Sequence, residues 1–102
     1  MTLEELIKIL EKAPQNLKVP KGFNNPHSWR GSYDELAFEP VENVLVSEML
    51  ADAKSAVGKT YTGYKGGEFE MDKRTEVHVS DWGSDYDYMG EMLTWYMFKF
   101  KD

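Results

Sequence analysis

Residues 22–40, GFNNPHSWRGSYDELAFEP, concentrate side chains whose chemistry suits a small phosphorylated ligand. The guanidinium of Arg30 presents a planar fork of donors that fits a phosphate or a carboxylate. The rings of Trp29 and Tyr33 are flat faces on which a nucleotide base can stack, at about 1–3 kcal/mol per base. The neighbouring asparagine amides can hydrogen-bond a base edge or a ribose hydroxyl. The segment therefore predicts a ligand-binding site, although the same side chains also suit a loop held by its own hydrogen bonds.

A second candidate lies in residues 61–67, YTGYKGG, where a lysine stands beside two glycines. A hairpin turn there can present backbone N–H groups and one cation to an anion. The spacing differs from that of a phosphate-binding P-loop, and a plain turn with a solvated lysine is the simpler interpretation. Placed opposite Arg30, this turn would form the other wall of one site. The predicted ligand-binding residues are Asn24, Asn25, His27, Trp29, Arg30, Tyr33, Glu35, Tyr64 and Lys65.

An acidic and aromatic segment, DWGSDYDYMG, occupies residues 81–90. Its aspartates do not follow the calcium-loop pattern, because the glycine is misplaced and no closing glutamate follows at the required distance. We expect no metal site, and a solvated acidic loop is the simplest interpretation. The segment also suits contact with a protein, with carboxylates imitating phosphates and aromatic rings as anchors. The residues of that alternative are Asp81, Trp82, Asp85, Tyr86 and Asp87.

Signals for catalysis are weak, because a base or a nucleophile needs a defined partner. His27 and Ser28 are only neighbours in sequence, and His78 is expected to be exposed on the polar face of a strand. A small nucleotide-processing enzyme stays open as an alternative, with Arg30 holding a phosphate and His27 or Glu35 moving a proton. Our main expectation is binding without turnover and without a cofactor.

The composition limits the class of partner. The net charge is −6 and the lysines and arginines form no run, which argues against direct nucleic-acid binding because such proteins need a concentrated basic surface. The absence of cysteine excludes disulfides, thiolate zinc sites and a cysteine nucleophile. The N-terminal segment is charged and has no signal-peptide apolar block, and no run is long enough to span a bilayer. We therefore expect a cytoplasmic protein with no membrane partner.

Two helices are predicted from the apolar periodicity. Residues 3–13 show an amphipathic stripe, preceded by a threonine and a glutamate spaced as a capping box. Residues 47–57 form the second helix, which Ser47 can cap and Gly58 can end. Between the helices, the prolines and glycines of residues 14–34 predict a long loop.

The remaining segments predict strands and turns. A short extended piece is expected within the long loop, and an acidic loop precedes the apolar C-terminal run. Strands are predicted over 33–39, on both sides of Gly66-Gly67 as a hairpin with a tight turn, over 75–80 and over 91–100. Together these elements predict an α+β fold in a single domain, residues 1–102, with two helices packed on a small mixed or antiparallel sheet of about four strands.

The pattern GFxNPHSxRGxYxELAFEP, residues 22–40, resembles a block of small uncharacterised proteins from bacteriophages and prophages. The likeness continues through residues 49–51 and 58–69, and it covers roughly the middle half of the chain. It implies a setting, a small phage-encoded protein acting inside a bacterial cell, where such proteins often disarm host defence. It assigns no role to any single residue.

These observations favour a phage-encoded counter-defence protein that binds and sequesters a small phosphorylated signal, such as a cyclic nucleotide or an ADP-ribose derivative. Because a short chain has little interior, we expect a homo-oligomer with the site near a subunit interface. An acidic inhibitor that binds a host defence protein, for example an anti-CRISPR protein blocking a nuclease, is the main alternative. The small nucleotide-processing enzyme is the third.

Overall fold

The computed structural model describes residues 1–63 and 65–79, and this part of the chain has an α+β fold. A three-stranded sheet has the order β1-β2-β5, and a two-stranded sheet pairs β3 with β4. β1 and β2 are antiparallel whereas β2 and β5 are parallel, so the larger sheet is mixed. The elements are α1 (Leu3–Lys12), β1 (Lys18–Trp29), β2 (Ser32–Leu45), α2 (Val46–Ala56), β3 (Thr60–Thr62), β4 (Glu68–Glu70) and β5 (Val77–Val79). The predicted α+β class, with two helices on a small sheet, is confirmed.

The first helix follows its sequence signals closely. The Thr2 hydroxyl accepts from the Glu5 N–H at 3.3 Å, and the Glu5 carboxylate accepts from the Thr2 N–H at 2.9 Å. This reciprocal pair is the predicted capping box, and it satisfies donors that the helix itself leaves without partners. The apolar stripe is buried in the core, and α1 ends at Lys12, just before Pro14.

The predicted loop over residues 14–34 is wrong, because most of it is strand β1. β1 lies at the edge of the described sheet, where half of the backbone N–H groups point away from the neighbouring strand. An edge strand therefore tolerates Pro20 and Pro26, which would break a central one. The pairing shifts between Asn24 and His27, and Asn25 takes a positive φ of 50° in this bulge.

The second helix begins without the predicted serine cap. Leu45 occupies the N-cap position and makes no side-chain cap bond. The Val46 N–H instead donates to the Leu17 carbonyl at 3.0 Å, and the Ser47 N–H donates to the Gln15 carbonyl at 3.1 Å. The preceding chain thus satisfies the first-turn donors, and the Ser47 hydroxyl is not needed for this. The predicted end at Gly58 is confirmed by its left-handed φ of 78°.

The predicted hairpin around Gly66-Gly67 is confirmed. β3 and β4 pair antiparallel, and residues 63–67 connect them, so the connection is longer than a two-residue turn. The Gly63 N–H donates to the Gly67 carbonyl at 2.6 Å and closes this connection, in which Gly66 has a φ of 97°. The predicted tight turn is therefore corrected to a five-residue loop. The C-terminal predictions, an acidic loop over 81–90 and a strand over 91–100, fall outside the described residues.

The hydrophobic core lies between the helices and one face of the larger sheet. Both helices contribute fully buried side chains, and the rings of Phe23 and Phe38 pack with their centroids 4.5 Å apart. Val77 and Val79 are buried on the same side, which confirms the alternation predicted for that segment. Within the described ranges, no helix is long and apolar enough to cross a membrane.

Candidate functional site

The turn between β1 and β2 contains only Arg30 and Gly31, since Trp29 pairs with Ser32. Both turn residues are exposed, and the guanidinium therefore stands at the tip of a long hairpin. The Trp29 indole lies over the backbone of this turn: a Cβ added to Gly31 would fall 2.8–3.0 Å from three atoms of the ring. A side chain at position 31 would therefore have to displace the indole from its present position. The predicted Trp29, Arg30 and Tyr33 thus cluster at one end of the sheet.

His78 on β5 reaches across the sheet to this turn. Its imidazole stacks on the Trp29 indole, with the ring centroids 3.8 Å apart and the planes 22° from parallel. Its Nε2 is hydrogen-bonded to Glu35 Oε1 at 2.7 Å. The side chains of His78 and Glu35 are 24% and 29% exposed. The prediction of an exposed His78 is therefore corrected: the ring is largely enclosed by Trp29 and Glu35, and it covers one face of the indole on which a base was expected to stack.

The tips of the two hairpins meet at Tyr33. The Tyr33 and Phe69 rings pack with their centroids 5.7 Å apart. A Cβ added to Gly63 would fall 3.2 Å from Tyr33 Cγ, so the backbone of the β3–β4 connection lies directly against the ring. Lys65 is exposed in that same connection. The turn that carries Arg30 and the loop that carries Lys65 therefore belong to hairpins that contact each other at Tyr33. The predicted Tyr64 lies outside the described residues.

The predicted asparagines lie farther down β1, at its bulge. The Asn25 amide donates to Glu39 Oε2 at 2.6 Å, and Asn24 pairs with Glu39 across the strands. His27 is buried, and its Nδ1 lies 3.2 Å from the Asn25 carbonyl. In the register His27 pairs with Ala37, whereas Trp29 pairs with Ser32 at the hairpin end. Asn24, Asn25 and His27, which were predicted as ligand-binding residues, therefore lie at the bulge and not at the hairpin tip.

Asp52 of α2 is the charged neighbour of this bulge. Burial raises the pKa of the Asp52 carboxyl, a backbone hydrogen bond from Asn25 lowers it, and the charge of Glu48 raises it again, with burial the largest influence. Tyr61 lies nearby, and burial together with the charge of Asp52 raises the pKa of its hydroxyl. The Tyr61 hydroxyl is buried without a hydrogen-bond partner, in a part of the chain that the structure describes.

Neither His78, beside Trp29, nor Asp52, beside the bulge, was predicted from the sequence as a site residue. The alternation in TEVHVS predicts the face of the strand on which His78 lies. In the structure Ala37 pairs with both His78 and His27, so these three residues share that face. The alternation does not give the parallel pairing of β5 with β2 that brings His78 to Trp29. Glu35 was expected to bind the ligand or, as an alternative to His27, to move a proton, yet its carboxylate is hydrogen-bonded to His78.

Metal binding finds no support within residues 1–63 and 65–79, which contain no group of three or more candidate ligands. The acidic residues Asp81, Asp85 and Asp87, with Trp82 and Tyr86, lie outside the described ranges. Comparison with known proteins finds no matching family model, no matching curated protein and no matching solved structure.

Proposed function

We propose that this protein binds and sequesters a small phosphorylated signal, of the cyclic-nucleotide or ADP-ribose type, at the end of the molecule where its two hairpin tips meet. The resemblance to small phage proteins suggests the setting, which is counter-defence inside a bacterial cell. The ligand would be held and not converted.

The contact of Tyr33 with Gly63 and Phe69 carries this proposal. It joins two turns that are far apart in sequence, and each turn carries an exposed cation, Arg30 or Lys65. Two exposed cations on turns that are joined through aromatic rings suit an anion with a flat group attached, as in a nucleotide. Because the net charge is −6, a phosphorylated ligand would depend on local cations such as these two for its attraction to the protein.

The direct test is calorimetric titration of the purified protein with cyclic mononucleotides, cyclic dinucleotides, ADP-ribose and cyclic ADP-ribose derivatives. We expect saturable binding of at least one compound and recovery of that compound with unchanged mass. No heat from any compound would remove the proposal. Binding followed by a change in the compound's mass would replace sequestration with catalysis.

Arg30→Ala tests whether the turn between β1 and β2 contributes to ligand binding. We expect at least tenfold weaker affinity, because a charge-assisted hydrogen bond to a phosphate is worth about 1.5–3 kcal/mol. Thermal unfolding should change little, since Arg30 stands in an exposed turn.

Arg74→Ala is the matched control. Arg74 is also exposed and also lies in a turn, where its N–H donates to Asp72 Oδ1 at 2.8 Å. The control removes the same charge from a different turn and should retain wild-type affinity. Equal losses in the two variants would indicate a diffuse charge effect and contradict a site at the hairpin tips.

A further inference from the structure

We propose that His78, held by Glu35, is a positioning residue that fixes the Arg30–Gly31 turn in the geometry needed to capture an anion. The inference rests on the proposed function for its purpose, although its structural part can be tested without any ligand. It assigns a role to His78, which was not among the predicted ligand-binding residues, and a supporting role to the Glu35 carboxylate that bonds it.

The two-residue turn at the tip of the long hairpin has both of its residues exposed, and the pairing of Trp29 with Ser32 closes it. Its backbone is packed under the indole of Trp29, with no room for a Cβ at Gly31. The position of the indole and the conformation of the turn are therefore coupled: one cannot shift far unless the other does.

The indole of Trp29 is held in turn by His78. Trp29 stacks on His78 at a centroid distance of 3.8 Å, and His78 belongs to β5 at the other side of the sheet. Glu35 on the central strand bonds His78 Nε2 at 2.7 Å, which fixes the rotation of the imidazole about its side-chain bonds. A chain of contacts thus runs from Glu35 through His78 and Trp29 to the turn that carries Arg30.

The charges near His78 are consistent with a positioning role. Glu35 faces it from the central strand, Glu76 precedes it on its own strand segment, and His27 shares its face across Ala37. The Glu35 carboxylate bonded to the ring fixes the direction in which Nε2 points. Rigid support of this kind reduces the conformational entropy that a binding side chain loses on capture, so it raises affinity with no new ligand contact.

The test compares His78→Ala, His78→Phe, Glu35→Ala and Glu35→Gln with the wild type by backbone and arginine side-chain ¹⁵N relaxation of the unliganded protein. In His78→Ala, we expect the order parameter of the Gly31 amide to fall from the rigid range, about 0.85, toward the flexible range below about 0.6. His78→Phe keeps a ring to stack and should be intermediate. Glu35→Gln keeps an acceptor for the imidazole N–H and should stay near the wild type.

A purely structural role for His78 would lower the melting temperature of His78→Ala and leave the order of Arg30 and Gly31 unchanged, which would overturn the inference. If His78→Ala does not fold, Glu35→Ala carries the same test, because it releases the imidazole and leaves it in place. Glu68→Gln, on an exposed residue of β4, is the control for loss of a carboxylate.

Affinity measurements separate this inference from the proposed function. With ADP-ribose as the probe, loss of the positioning contact should weaken binding about three- to tenfold in His78→Ala and much less in Glu35→Gln. If the wild type binds no compound, the proposed function fails, whereas the relaxation comparison still decides whether His78 fixes the turn.

Discussion

At the scale of single residues, the Asp52 carboxylate both supports the bulge in β1 through a hydrogen bond and loses part of its own hydration by burial. It takes a backbone hydrogen bond from Asn25, whose φ of 50° marks the bulge in β1. Burial nevertheless raises the pKa of the Asp52 carboxyl above its usual value. The folded protein therefore holds the Asp52 proton more tightly than the unfolded chain, and stability falls as pH rises from the unfolded pKa through the folded one.

We expect Asp52→Asn to raise the free energy of unfolding at pH 7 by about 0.5 kcal/mol or less, because solvent screens a partly exposed carboxylate. An amide oxygen can still accept from Asn25, so the bulge keeps its hydrogen bond. Chemical denaturation between pH 3 and 8 measures the difference, which should vanish toward acid pH. Glu42→Gln, at an exposed position, is the control. A variant less stable than the wild type at pH 7 would show that the charge itself is needed.

At the scale of elements, the stability that the capping box gives to α1 depends on pH through the Glu5 carboxyl. Backbone and side-chain hydrogen bonds from Thr2 lower the pKa of the Glu5 carboxyl. Because the folded pKa is the lower one, this interaction stabilises the protein above the unfolded pKa and is lost as pH falls through the folded value.

We expect Glu5→Gln to flatten the acid limb of the stability curve relative to the wild type, with little change in stability at pH 7, because glutamine can still accept from Thr2. Thr2→Ala removes the hydroxyl that caps the helix and should cost about 1 kcal/mol at pH 7. Thermal unfolding followed by far-ultraviolet circular dichroism measures both. Parallel acid limbs for Glu5→Gln and the wild type would count against a role for the capping carboxylate.

The elements also show which features a sequence can predict. Local signals gave both helices, the β3–β4 hairpin and the alternation around Val77, because each depends on residues near one another in the chain. β1 escaped prediction because Pro20 and Pro26 are read as loop residues unless the strand is known to be an edge. Edge position depends on the whole sheet order, which no local pattern contains. The aromatic and cationic side chains of the hairpin tip were predicted because they are neighbours in sequence. The contact of His78 with Trp29 was not predicted, because it depends on the order of strands in the sheet.

At the scale of the whole molecule, the candidate site lies on two exposed turns whose hairpins meet at Tyr33. Tight sequestration requires most of a ligand's surface to be buried, which a single pair of hairpin tips does poorly. We therefore expect a homo-oligomer whose subunits meet at these tips and enclose the ligand together. Light scattering coupled to gel filtration measures the mass, and a monomer that binds with submicromolar affinity would contradict this arrangement.

The backbone contacts of residues 1–3 with residues 75–77 have a consequence for folding during synthesis. Thr2 bridges Glu76, the Leu3 N–H donates to the Thr75 carbonyl, and the Val77 N–H donates to the Met1 carbonyl. These contacts join the start of α1 to a segment that follows it by most of the described chain, so they form only after β5 has been synthesised. Because His78 of β5 also stacks on Trp29, we expect the hairpin end where we propose that an anion binds to reach its final packing only at that stage.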